Sequence, residues 1–188
     1  MSFDIGHLRF IGSFQFMSSS LEHLVDNLKD DSCSNFPSMK SVFNEDTKLL
    51  CRKGSYPYEW FDNVNKFEFK GLPPKADFYS GLSQKHISDK DYEHVTNVYK
   101  NMNCQNFKDY HLLYFKTDVL FLADVFENFR KTTCYTYYGL DPANYISAPS
   151  LACDAMLLKT GIELEQISGP NILDIVERQK RRIMFCRL

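Results

Sequence analysis

Apolar and polar positions alternate along the chain with periods that mark out its elements. Between Asn106 and Gly139, NFKDYHLLYFKTDVLFLADVFENFRKTTCYTYYG has no proline, is rich in Leu and Phe, and carries its only glycine at the end, where a helix is capped. At about 100° per residue, Leu112, Phe115, Val119, Leu122, Val125, Phe126 and Phe129 gather on one face and Lys116, Asp124, Glu127, Arg130 and Lys131 on the other. The pattern predicts an amphipathic helix whose apolar face meets a core. Asp118 breaks it, because it projects into the apolar face one turn after Tyr114. A carboxylate buried there needs a hydrogen-bond partner, a metal ion or a shifted pKa, whereas Asp124 and Glu127 on the polar face need nothing.

Elsewhere the pattern is shorter-ranged. Leu8–Met17 (LRFIGSFQFM) reads as a strand, with no good partner strands in the rest of the chain, so part of a sheet is expected to be missing. Ser18–Ser20 offer N-caps for a helix with Leu21, Leu24, Val25 and Leu28 on one face, and Pro37 suits the first turn of a short helix reaching Phe43. Lys48–Cys51 reads as extended. Lys53–Pro74 is an aromatic-rich loop punctuated by Gly and Pro, in which Tyr56, Tyr58, Trp60 and Phe61 either stack on bases or, the favoured reading, anchor the loop on the core. Ser88 opens a helix whose inner face holds Tyr92, Val95, Val98 and Tyr99. Helices are also predicted over Ser147–Lys159 and Asn171–Lys180.

Composition narrows the classes. At 188 residues and 44% hydrophobic, the chain can bury one ordinary core. A formal net charge of −2 supplies no global attraction for a polyanion. The six cysteines, Cys33, Cys51, Cys104, Cys134, Cys153 and Cys186, form no CxxC pair and read as free thiols in a reducing compartment. No signal peptide or membrane-length apolar run is present, so the expectation is a soluble, intracellular protein with no membrane partner. The basic run Arg178–Arg182 reads as a solvated helix end, and the tail RRIMFCRL, without a turn signal, suggests a truncated or spliced product.

Chemistry centres on Tyr114 and Asp118. Four residues apart on a helix, a phenol and a carboxylate converge on one ligand, and such pairs serve two-metal phosphodiester hydrolysis. The YxxxD spacing alone is weak. The ordered segments YPYEWFDNVNKFE, LPPKADFYS, ISDKDYEHVTNVYKNMNC, DYHLLYFKTDVLFLADVFENFR and YYGLDPANYISAPSLACDAML add to it. Together they resemble the protein-primed family B DNA polymerases of Maverick/Polinton-like elements and linear plasmids, over about Leu8 to Glu177.

The resemblance implies the second half of a 3′–5′ proofreading exonuclease: an α/β remnant, predominantly helical, forming the C-terminal part of an RNase H-like domain with one N-terminal strand and a long central helix. It implies a partial exonuclease domain over 1–140 and the start of the connection to an absent polymerase domain over 141–188. Tyr114 and Asp118 match the third exonuclease motif, in which the Asp is a metal ligand and the Tyr positions the attacking water. Ser13 and Phe14 match the single-strand-binding (S/T)Lx2h motif, with Phe14 where Leu is usual, and Lys53 matches the lysine of the Kx2h motif near the scissile phosphate. Gly12 stands where the family carries an acidic residue.

The family's first two exonuclease motifs and its DxxSLYP and YxDTD polymerase motifs have no equivalent here. For the complete enzyme the resemblance implies Mg2+ or Mn2+ as cofactor and DNA, with terminal protein, as partner. One carboxylate does not hold two metal ions, so this chain alone is expected to be inactive. The competing expectation is a non-catalytic helical interaction or single-strand DNA-binding module.

Overall fold

In the computed structural model, which describes residues 2–164 and 169–185, the chain opens on a β-hairpin. Strand β1 (Ser2–Ile5) pairs antiparallel with β2 (Leu8–Ile11) in the register Ser2↔Ile11 to Ile5↔Leu8. Gly6, at φ 60°, makes the two-residue turn that a side chain would disfavour. The expected strand over Leu8–Met17 is therefore four residues long, and its partner is the segment just before it. After Gly12 the chain enters a 3-10 turn at Ser13–Gln15, which sends Phe16 towards Phe126 and Phe129, with ring centroids 6.1 and 6.5 Å away.

Helix α1 (Leu21–Leu28) starts where Ser20 accepts a hydrogen bond from His23 N, as its sequence predicts. Helix α2 (Pro37–Phe43) also keeps its predicted bounds. The expected extended segment over Lys48–Cys51 is instead helical, as α3 (Thr47–Leu50). Thr47 and Leu50 are both buried, and a spacing of three brings them to one side only in a helical turn. The aromatic loop follows, then the two-residue strands β3 (Tyr79–Ser80) and β4 (Lys85–His86), paired with each other.

Helix α4 (Asp89–Asn101) is capped by Ser88, which accepts from Asp91 N, and it buries Val95 and Val98. Helix α5 (Phe107–Asn128) has a full capping box: Asn106 accepts from Asp109 N, and Asp109 accepts from Asn106 N. It continues through a π-helical segment, Phe129–Tyr135, into α6 (Thr136–Tyr138), and Gly139 at φ 66° ends the run. The fold is thus predominantly helical, with short strands and a long central helix.

Helix α5 is turned differently from the expectation. Phe107, Tyr110, Thr117, Phe121, Asp124 and Val125 are buried, whereas Leu112, Phe115, Val119 and Leu122 are exposed, Phe115 by 62%. The polar members of the inward face are all satisfied: Tyr110 Oη donates to Ser55 O, Thr117 Oγ1 to Tyr114 O, and Asp124 accepts two backbone bonds. Around Phe121 the core gathers Val25, Phe36, Met39, Leu50 and Val98, with Phe36 meeting Phe121 edge-on at 5.3 Å. Burying a phenyl ring of this size contributes roughly 2–3 kcal/mol. A second cluster holds Phe78, Val95, Phe107 and Tyr110, against which Tyr56, Trp60 and Phe61 of the aromatic loop pack.

Cys33 and Cys51 are joined by a disulfide across 18 residues, with Cα atoms 6.4 Å apart. This corrects the reading of both as free thiols; Cys104, Cys134 and Cys153 are free, and Cys186 lies outside the described residues. Closing a loop of that length contributes about 3 kcal/mol in a chain-entropy account.

The chain divides into two compact units, Met1–Ala148 and Pro149–Leu188. The second contains most of α7 (Ala148–Thr160), which buries Leu151 and Ala155, and α8 (Pro170–Phe185), which exposes Ile172 and Ile175. Of the basic run Arg178–Arg182, the side chains after Arg178 lie outside the described residues. Among the described residues no helix is long and apolar enough to cross a membrane.

Candidate functional site

Tyr114 and Asp118 lie one turn apart in the middle of α5, and the segment after Cys51 reaches both. That segment has no regular structure from Lys53 to Pro57, so side chains rather than a backbone ladder hold it down. Lys53 Nζ donates to Asp118 Oδ2 at 2.8 Å and lies 5.5 Å from the centre of the Tyr114 ring. Gly54 passes so close to that ring that a β-carbon would meet Tyr114 Cδ2 at 3.3 Å. One residue before Lys53, Arg52 pairs with Asp91 of α4. Three of the five residues singled out in the sequence, Lys53, Tyr114 and Asp118, are therefore together, although 65 positions separate the paired lysine and aspartate.

Asp118 is a quarter exposed, not enclosed in the core, and its second oxygen, Oδ1, is buried without a hydrogen-bond partner. The anomaly in the helical pattern is thus half resolved, with one oxygen ion-paired and one unanswered. Tyr114 Oη lies 2.8 Å from Tyr58 Oη, and Tyr56 Oη lies 2.8 Å from His111 Nδ1. Burial raises the Tyr114 pKa above the ordinary phenol value, and the Tyr58 hydrogen bond and the Asp118 charge raise it further. Burial, aided by Tyr58, likewise pushes Tyr56 up to about 12. Both phenols stay protonated at neutral pH and act as hydrogen-bonding groups, not bases. Burial lowers the His111 pKa, which favours the neutral imidazole beside Tyr56.

These residues border an open groove of about 370 Å3, lined by Tyr56, Tyr58, His111, Tyr114, Phe115 and Asp118 together with Leu21, Val119 and Leu122. A neighbouring groove of about 630 Å3 is lined by Arg9, Ile11, Gly12, Ser13 and Phe16 of the N-terminal segment and by Val119, Leu122, Ala123 and Phe126 of α5. Both run along the outward apolar face of α5, sharing Val119 and Leu122. Ser13 lines the second groove only, and Phe14 is 67% exposed and lines neither. The hairpin thus borders the groove next to the one that holds Asp118.

The aromatic loop divides between its two readings: Tyr56, Trp60 and Phe61 anchor it against Phe107, with ring centroids 4.9–5.7 Å away, while Tyr58 is exposed. Asp124 is the acid that sequence reasoning passed over. It is buried and accepts from Ser38 N at 2.9 Å and Met39 N at 3.1 Å, capping α2. A signal for it existed, because α2 begins at Phe36-Pro37, and a phenylalanine at the N-cap has no oxygen to offer its first turn.

Among the described residues no three His, Cys, Asp or Glu side chains converge as metal ligands. Asp118 is a single carboxylate, and its Oδ2 already faces an ammonium group. The donor set does not fit the pair of divalent ions implied for the complete enzyme. What it offers is a lysine–aspartate pair and two mutually hydrogen-bonded phenols beside an open aromatic groove, a surface able to receive an aromatic group. Compared with protein-family models, with curated proteins and with solved structures, the chain matches none.

Proposed function

We propose that the chain is part of a protein-primed family B DNA polymerase, namely the C-terminal part of its RNase H-like 3′–5′ exonuclease domain. The observation that carries this reading is the Lys53–Asp118 pair beside Tyr114. The resemblance assigns these residues to two separate motifs, and the fold brings them into contact across 65 positions. In the complete enzyme, Asp118 would share Mg2+ or Mn2+ with carboxylates absent here, and DNA and terminal protein would be the partners. Among the described residues no ligand set for metal-assisted hydrolysis converges, and in this reading the chain alone is inactive.

The DNA on either side of the coding region tests this. A strand-borne DxE motif is expected upstream and a DxxSLYP motif downstream; intact flanking DNA that encodes neither sinks the reading. Purified chain with Mn2+ and a 3′-mismatched oligonucleotide should release no nucleotide, and release abolished by Asp118→Asn would overturn the claim of inactivity.

A second reading, a non-catalytic interaction or single-strand-binding module, draws support from the grooves along the outward face of α5. Binding of oligothymidine that weakens steeply with salt and ignores Mg2+ would favour it.

A further inference from the structure

The disulfide ends two residues before Lys53, and that adjacency carries an inference independent of the polymerase reading. One half of the bond sits in a hydrogen-bonded turn. Asp30 accepts from Ser32 Oγ at 2.8 Å and from Ser34 N at 2.7 Å, Cys33 N donates to Asp30 O, and Asn35 Nδ2 donates to Leu28 O. None of these bonds involves the sulfurs.

The other half is held up to Arg52 by packing, since Leu50 lies in the core around Phe121 and Arg52 N donates to Leu50 O, but it lacks a comparable hydrogen-bonded turn beyond that point. Cys51 follows α3, which is a single turn and too short to persist without tertiary contacts. After it, the chain is held by the Arg52–Asp91 and Lys53–Asp118 pairs, both partly exposed, and by the Tyr110 hydroxyl on Ser55 O. Exposed pairs of this kind contribute little alone, so beyond the buried Leu50 the covalent tie at Cys51 is the strongest restraint on Arg52–Gly54.

We propose that the Cys33–Cys51 bond is a redox latch: when formed it seats Arg52–Lys53–Gly54 against α5 and closes Lys53 onto Asp118, and when reduced it releases that segment while the α5 core stays folded. The reductant is a dithiol. Its thiolate attacks one sulfur, the Cys33–Cys51 bond breaks as a mixed disulfide forms, and its second thiol displaces the remaining cysteine. Two electrons and two protons pass to the protein, which ends with two thiols, and the reductant leaves as its own disulfide. Cys33 and Cys51 are only 3% and 1% exposed, so attack follows local opening at α3, a single helical turn.

The expected outcome is that reduction of the full chain by dithiothreitol accelerates amide hydrogen exchange over residues 50–56 by about tenfold or more, leaving the amides of 117–125 as protected as before. Acylation of the Lys53 amine by a succinimidyl ester should rise in parallel. The double variant Cys33→Ser/Cys51→Ser should show both effects without reductant. Three results would overturn the latch: unchanged exchange over 50–56; a rise that extends equally through 117–125, which makes the bond a global staple; or alkylation of all six cysteines when the unreduced protein is denatured.

Discussion

Asp118 and Asp124 lie on one helix, six residues and hence about 120° of helical rotation apart, and their surroundings are opposite to what the apolar pattern suggests. Asp118 stands among Phe115, Val119 and Leu122, and that side of α5 is open. Asp124 stands among Glu127 and Arg130 on the nominally polar side, and it is almost fully buried. The burial of a helix face follows from what its groups can bond to, not only from how oily it is. Asp124 is tolerated inside because two backbone N–H groups of α2 meet it. Leu112 and Phe115 remain outside because no other element among the described residues of this unit covers them.

Phe121→Ala empties the centre of the inward face and should cost the most, about 3–5 kcal/mol in urea-denaturation stability. A cost similar to that of an exposed phenylalanine would mean that the facing of α5 is wrong. Asp124→Ala comes next, because it leaves the buried N–H groups of Ser38 and Met39 without an acceptor, for about 2–3 kcal/mol; Asp124→Asn, which keeps an acceptor oxygen, should recover much of that.

Asp118→Asn should cost no more than about 1 kcal/mol, since its ion pair is a quarter exposed, and a double-mutant cycle with Lys53→Met should return a coupling of the same small size. A loss as large as that of Asp124→Ala would show Asp118 to be the enclosed acid instead.

A third acid sharpens the contrast by titration. Asp141 binds Arg130 with both oxygens, at 3.0 and 2.7 Å, and this partner, helped by the Ala143 amide, lowers its pKa to about 2. The folded-state value lies below the unfolded one, so the pair's stabilisation is fully present above the ordinary carboxylate pKa near 4 and fades as pH falls towards about 2. Thermal melts over that window should drop less steeply in Asp141→Asn. The smallest effect expected is for Phe115→Ser, within about 0.5 kcal/mol of the parent, because the ring it removes is already in water.

Local features are legible along the chain. The starts of α1, α2, α4 and α5 and the end at Gly139 follow from Ser20, Pro37, Ser88, Asn106 and a glycine free to take positive φ, because capping acts within one turn of the chain. The co-placement of Tyr114 and Asp118 was equally readable, since a spacing of four fixes it. The tertiary structure alone decided which side of α5 faces inward, that Ser2–Ile5 completes the hairpin, that Cys33 meets Cys51 and that Lys53 closes onto Asp118. The facing of α5 and the two cross-links join groups 18 to 86 positions apart. Helical periodicity records how side chains are arranged around one axis; the partner that turns a given side inward lies elsewhere in the chain, and a helix-scale pattern holds no term for it.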